Sequence, residues 1–323
     1  MSLINPRVDI AFKKIFGVEE NKDILISLLN SIISEEDQVD EIELLNPYNE
    51  RNFKKDKLSI LDIKARNKHT KTHFLIEMQL AEEVDYPKRG LYSWARVYSN
   101  QLGAGKLYEE LNRTIAIHIL NFTFIDYSKE KGWIESAPSK YHHIFVLSDK
   151  ETRLEIFKDI EIHTIELNKF EGIKDKDIKV VMPRVKDMLD RWVAVLTKYD
   201  LFNIKDLPEE VNIPEIKKAL RVMEEMTMNE EERDVYNSHL DFLRMEHGAF
   251  EARFIAGLKV GEAKGRAEGE AKGEAKGIEK GIKEGAKLHA IKTATILLGK
   301  GLDIQLIVES TGLSAEEIEK LRK

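Results

Sequence analysis

At 323 residues the chain is longer than one small domain needs, and 42% hydrophobic with 34% charged residues is the balance of a soluble, core-forming protein rather than a disordered one. It has no cysteine, which excludes disulfides and thiolate zinc sites, and no apolar run nears the roughly 18 residues of a membrane span. The net charge of -7 argues against a surface that is positive all over and leaves local phosphate contacts open; without a secretory signal in MSLINPRVDI, the expected location is cytoplasmic.

Val8, Phe12, Ile15 and Phe16 recur at helical spacing, so a first helix is expected over 8–16, with Gly17 as its stop. Asn21 is expected to cap a second helix running through Ile33, with Leu25, Leu28, Leu29 and Ile32 on its buried face. Strands are expected over 41–46, 58–66 and 72–80. A long amphipathic helix should follow from about Pro87 to Leu111, with Leu91, Trp94, Tyr98, Leu102 and Gly105 near one face. Three more strands are expected over 114–124, 141–148 and 160–166. Helices fill about 178–250, broken at Pro208 and Pro214. This order predicts a mixed α/β core with a helical C-terminal extension, the core and its extension spanning 1–250.

The tail differs in kind. Glycine returns every fourth residue from Gly257 to Gly285, among Glu, Ala and Lys. Each helical glycine costs about 1 kcal/mol relative to alanine, so 251–286 is expected to be a weak helical linker. A glycine stripe also allows two helices to approach closely, so a homodimer through the repeat stands beside the spacer reading. Residues 287–323 read as a small helical module. Its first helix covers about His289–Leu298 and stops at Gly299 or Gly301. Asp303 caps a second helix that Gly312 ends, and Ser314 with Glu317 forms a capping box for a third. The pattern is like a helix-turn-helix, and equally like a plain packing module.

The strands 58–66 and 72–80 form a hairpin if the turn centres on Lys68–Lys71, with Asn67 at its edge. Residues whose numbers sum to 139 then face each other, and Asp62 lies opposite Glu77. Asp62, Lys64, Arg66, Glu77 and Gln79 share one face, while Leu61, Ile63, Ala65, Phe74, Ile76, Met78 and Leu80 share the other. Ile60 and Leu75 break the partition. Like charges across a strand pair repel, and a divalent cation would relieve that repulsion. Two carboxylates and the Met78 carbonyl suit Mg²⁺ (or Mn²⁺), which keeps water and phosphate as its other ligands. Gln79 would then orient water or a phosphate oxygen, and Lys64 would stabilise developing charge. Eight basic residues between Arg51 and Lys71 belong to the same hairpin. On periodicity alone, the solvated face of an amphipathic hairpin is the better reading.

Leu61-Asp62, fourteen intervening residues and Glu77-Met78-Gln79 together resemble the PD-(D/E)XK nuclease signature, with Leu61 in place of proline and Gln79 in place of lysine. Further segments match in order: Asp9 to Gly17, Ile60 to Ala65, Arg89 to Trp94, Tyr98 to Leu102, then Gly105, Tyr108, Leu111 and Thr114 to Phe122. Over about residues 5–170 the chain resembles the Rpn family of recombination-promoting nucleases, also described as PD-(D/E)XK family transposases. The resemblance implies a restriction-endonuclease-like core and Mg²⁺-dependent cleavage of DNA, linked to recombination, mobile elements or phage defence. It implies Asp62 and Glu77 as metal ligands and Gln79 as the variant third position, with Lys64 as the alternative cation. Asp9 and Lys13, an i,i+4 pair, read either as an exposed salt bridge or as support for metal or phosphate. Tyr98 and Gln101 resemble a glutamine–tyrosine element of related nucleases at a different spacing; a core role for Tyr98 is the alternative. A non-catalytic, nuclease-derived DNA-binding or assembly protein is the competing function. No phosphate-binding glycine loop and no HExxH pattern occur, and His142 and His143 read as structural.

Overall fold

The computed structural model describes residues 3–48, 62–81, 85–125, 140–170 and 177–322. A six-stranded sheet has the order β1-β2-β3-β4-β6-β5, built from β1 (Ile42–Leu44), β2 (Ile63–Asn67), β3 (His73–Gln79), β4 (Thr114–Leu120), β5 (His142–Val146) and β6 (Ile160–Glu166). The first three strands pair antiparallel, β3, β4 and β6 run parallel, and β5 returns antiparallel at the edge. The main helices are α1 (Asp9–Phe16), α2 (Lys22–Ile32), α3 (Tyr86–Ser99), α4 (Met188–Lys198), α5 (Pro214–Glu225), α6 (Glu230–Gly299), α7 (Ile304–Thr311) and α8 (Ala315–Lys320). The mixed α/β class with a helical C-terminal part is therefore observed. The expected strand residues 58–61, including Ile60 and Leu61, and the basic residues Arg51, Lys54, Lys55 and Lys57 lie outside the described residues.

The two faces of the sheet meet different layers. On one, Ile63, Ala65, Phe74, Ile76, Ile115 and Ile117 enter the main core, shared with α1, α2, α4 and α5. On the other, α3 covers Leu75 and Ala116 and closes a smaller core with Val97 and Trp94. Leu75 is only 1% exposed, so its place on the polar side of the hairpin is explained by the helix above it. That face is covered rather than solvated, and burying Leu75 there contributes about 2 kcal/mol.

Two local expectations need correction. The helix predicted to reach Leu111 ends at Ser99. The amides of Gln101 and Leu102 turn back to the Tyr98 and Ser99 carbonyls, and Gly105 takes a left-handed φ of 81°. Its buried residues are Tyr86, Gly90 and Val97, whereas Leu91 is 49% exposed. Asn21 does precede α2, but its side chain faces backwards, donating to the Lys14 and Ile15 carbonyls at the end of α1.

The chain divides into two compact units, Met1–His247 and Gly248–Lys323. In the second, the glycine repeat is helical, and apart from the helix's own adjoining backbone no heavy atom of the described residues would come within 4 Å of a Cβ placed on its glycines. The helix expected from His289 is the end of α6 rather than a separate element. Asp303 accepts from the Gln305 amide, Gly312 closes α7 at φ 69°, and Ser314 and Glu317 form the reciprocal capping box. Ala294, Ile307, Leu313 and Ile318 make the small core these caps frame. Among the described residues, no helix is long and apolar enough to cross a membrane.

Candidate active site

The register of β2 and β3 is Ile63↔Ile76, Lys64↔Leu75, Ala65↔Phe74 and Arg66↔His73, each pair summing to 139. The turn is held by Asn67, whose Oδ1 accepts from the His69 and Thr70 amides, and by Lys71 at φ 63°. The acidic segment before the hairpin is its partner: Glu43 binds Arg66 at 2.6 Å and Glu41 binds Lys68. Arg66 and Lys68, two of the basic residues in this stretch, are thus paired with acids of β1 and the residues leading into it.

One position beyond the Ile63–Ile76 pair stand Asp62 and Glu77. Both line a cavity of about 180 Å³ between the hairpin and α3, together with Lys64, Ser93, Arg96 and Gln101. Lys64 Nζ lies 3.1 Å from Asp62 Oδ2. The Asp62 backbone is pinned from below: its carbonyl accepts from Lys13 Nζ at 2.7 Å and from Asn46 Nδ2 at 2.9 Å. Asn46 Oδ1 accepts from the Lys64 amide at 2.7 Å, and the Asn46 carbonyl takes a second Lys13 bond at 2.6 Å. Lys13 is fully buried, and burial pushes its pKa down to about 8. Its stem runs beside Gly17, where a Cβ would stand 2.7 Å from Lys13 Cδ and 2.8 Å from its carbonyl oxygen. Only glycine leaves that lane open. The expected Asp9–Lys13 pair does not form, because the lysine turns to these carbonyls instead.

Glu77 is held from the neighbouring strand. In the parallel ladder it sits beside His118, whose Nδ1 is 3.4 Å from Glu77 Oε2. Burial pushes the Glu77 carboxyl up, but His118, a Ser93 hydrogen bond and the Arg89 charge together outweigh it and leave it below the ordinary range. His118 is 1% exposed and stands edge-on to Tyr86. Sequence reasoning passed over it. The available signal was a single polar residue inside the otherwise apolar run TIAIHIL.

The other expected residues scatter around this centre. Gln79 is buried, donates to the Ala81 carbonyl at 3.2 Å and does not line the cavity. Met78 has its side chain in the main core, away from the cavity lining. Gln101 lines the cavity and also ties the following loop, donating to the Asn112 carbonyl and Thr114 Oγ1 and accepting from the Asn112 amide. Tyr98 donates to Asp159 at 2.7 Å and stacks on Trp94, a bracing role between α3 and the start of β6. His142 bonds His163 at 2.8 Å and His163 bonds Glu161 at 2.7 Å, while His143 approaches Glu166 on the opposite face. These histidines lie in partnered networks away from the cavity.

Asp9, in the first turn of α1, is partly buried with Oδ1 lacking a hydrogen-bond partner, and the His239 ring stands 3.9 Å from its Oδ2. Burial raises its pKa from 3.8 to about 7, against the helix-start amide and Arg89, and with Glu77 adding to the rise. A folded-state pKa above the unfolded one means the native protein holds the proton longer. This group's contribution to stability therefore falls as pH rises from about 4 to 7. Asp9→Asn is expected to stabilise metal-free protein at pH 8, by on the order of 4 kcal/mol at most and read as a higher thermal midpoint, and hardly at pH 4. An equal effect at both pH values would show that Asp9 is not buried as a costly charge.

A family model for PD-(D/E)XK nuclease family transposases matches residues 6–250, a stretch that contains the sheet, α3 and both acids. The chain belongs to that family. Searches of curated proteins and of solved structures return no match. Membership in the PD-(D/E)XK family implies a nuclease-related or transposase-related role with DNA as substrate, and PD-(D/E)XK nucleases generally use divalent metal ions. The residues present are compatible with such an ion: Asp62 and Glu77 line the same cavity, although among the described residues no group of three or more His, Asp or Glu side chains is placed to hold a metal by itself. Mg²⁺, which keeps several waters and takes phosphate oxygens, suits two protein carboxylates better than a full protein cage would.

Proposed function

We propose that this PD-(D/E)XK family member is a metal-dependent DNA endonuclease in which Asp62 and Glu77 hold a Mg²⁺ or Mn²⁺ ion. The observation that carries the reading is the shared cavity wall of these two acids, with Lys64 beside Asp62. When bound, such an ion supplies Lewis-acid stabilisation of phosphate charge and a more acidic water. The Met78 carbonyl is the third ligand in this reading.

The chain's own residues do the rest. Lys13 and Asn46 fix the backbone at Asp62, so its carboxylate is presented without reorganisation. His118, Ser93 and Arg89 keep Glu77 ionised in a covered site. Lys64 takes the part that lysine usually plays at position 79: it is the ammonium in the cavity, where it can neutralise charge developing on a phosphate oxygen. Gln79, bonded to Ala81, serves the strand end instead of the substrate.

The test is cleavage of supercoiled plasmid by the full chain with Mg²⁺ or Mn²⁺, abolished by a chelator and restored by adding the ion back. Plasmid left intact under every divalent ion tried would overturn the endonuclease. The substitution of Gln79 for lysine favours a second reading, a DNA-binding or assembly protein without catalysis. Removal of residues 255–323 would then abolish DNA binding or self-association, and unchanged binding and mass would dismiss it.

A further inference from the structure

The cavity wall opposite the hairpin belongs to α3, and one of its side chains is chemically unspent. Of the cations lining the cavity, Lys64 is within 3.1 Å of Asp62, while Arg96 has no acidic partner among the described residues. Arg96 is exposed at the rim. Its guanidinium lies 5.9 Å from the ring centre of Tyr92, one helical turn earlier. Tyr92 is 63% exposed and has no aromatic neighbour among the described residues.

An exposed tyrosine on a helix is often mere surface. This one differs because the arginine resting against it opens onto the same cavity as both acids. A guanidinium fork matches phosphate oxygens, and it keeps that capacity while one face lies over an aromatic ring. The outer face of the tyrosine is free to stack, and stacking on an aromatic tolerates any base but requires that base to be out of its own helical stack.

Resting on the endonuclease reading, we propose that Arg96 and Tyr92 grip the substrate strand at the cavity mouth. Arg96 takes a phosphate next to the cleaved one, and Tyr92 stacks the base of the adjoining nucleotide. The preferred substrate is therefore DNA with an unpaired or unstacked base beside the cut, such as a single-stranded tail, a mismatch or a distorted duplex.

The test is fluorescence-anisotropy binding of labelled oligonucleotides by full-length protein carrying Glu77→Ala, in chelator, so that neither turnover nor metal enters. Arg96→Ala is expected to weaken binding to all DNAs roughly tenfold and to lower the salt slope by about one, with Arg96→Lys recovering most of that slope. Tyr92→Ala is expected to weaken binding to a single-stranded or mismatched oligonucleotide by about tenfold and to leave the fully paired duplex unchanged, while Tyr92→Phe binds as the parent does. Both positions are exposed, so the variants should keep the parental thermal midpoint. Parental affinity and salt slope in Arg96→Ala would overturn the grip, and equal loss on paired and unpaired DNA in Tyr92→Ala would overturn the unstacked-base preference. The two readings fail separately. Cleavage by the wild type with no Arg96 effect sinks the grip alone, and an Arg96 effect without cleavage under any ion sinks the endonuclease alone.

Discussion

Asp62→Ala and Glu77→Ala are each expected to lower metal-dependent plasmid cleavage by at least about 10³-fold while leaving the fold in place. The reason for the size is that two carboxylates share one ion, so losing either removes the site rather than weakening it. The fold should survive because neither side chain is a structural link: Asp62 is anchored through its carbonyl, and Glu77 is a charge that burial disfavours. Glu77→Gln sharpens the claim. The amide keeps the shape and a hydrogen-bond acceptor for Ser93 and His118 but removes the charge, so its activity should fall as far as that of the alanine variant. Calorimetric titration with Mn²⁺ gives an independent readout, and both alanine variants should lose the binding isotherm. Lys64→Ala should cost less, about 10²-fold, with Mn²⁺ binding retained. Cleavage within a few-fold of the wild type in either alanine variant would remove these acids from the chemistry.

The hairpin register was legible because alternation and the Asn67 turn are local signals, and a period-two pattern tolerates no slip without turning Ile63 and Ile76 away from the main core. The C-terminal caps were legible for the same reason: Asp303, Gly312, Ser314 and Glu317 act within a few residues of themselves. What stayed hidden depends on distant partners. Leu75 looked misplaced on a polar face until α3, starting eleven residues later, was seen to cover it. The end of α3 at Ser99 was masked by Leu102 and Leu111, which continue the apolar pattern past a helix stop made by backbone turns. His118 reads as one polar residue in a buried strand, and only the parallel pairing of β4 with β3 brings it beside Glu77. Helical spacing pairs Lys13 with Asp9, as an exposed salt bridge or as a support for metal or phosphate, yet its amine bonds carbonyls 33 and 49 residues away. Local spacing cannot report contacts of that range.

Lys13 also supports the second large effect. Lys13→Met is expected to preserve the fold, with a thermal midpoint close to that of the wild type, and to reduce cleavage by about 10²-fold. The stability side follows from opposed terms. Methionine matches the length of the buried stem and carries no charge to desolvate, whereas burial already drives the lysine to about 8. Against this, the Asn46 carbonyl loses its lysine donor, a cost of about 1–3 kcal/mol, while the Asp62 carbonyl keeps the Asn46 amide. The activity side follows from geometry. Asp62 stands just before β2 rather than within its paired residues, so with one of its two anchors gone its carboxylate is free to wander relative to Glu77, and a displacement of about 1 Å is enough for such a loss. Lys13→Arg should not rescue cleavage, because Gly17 leaves a narrow lane for the stem and the wider guanidinium fork would have to push Asp62 or Asn46 outward. A folded Lys13→Met protein that cuts at the wild-type rate would show that the amine serves only the packing of α1. A folded protein that cuts poorly and binds Mn²⁺ weakly would instead mark Lys13 as the residue that holds one half of the metal pair in position.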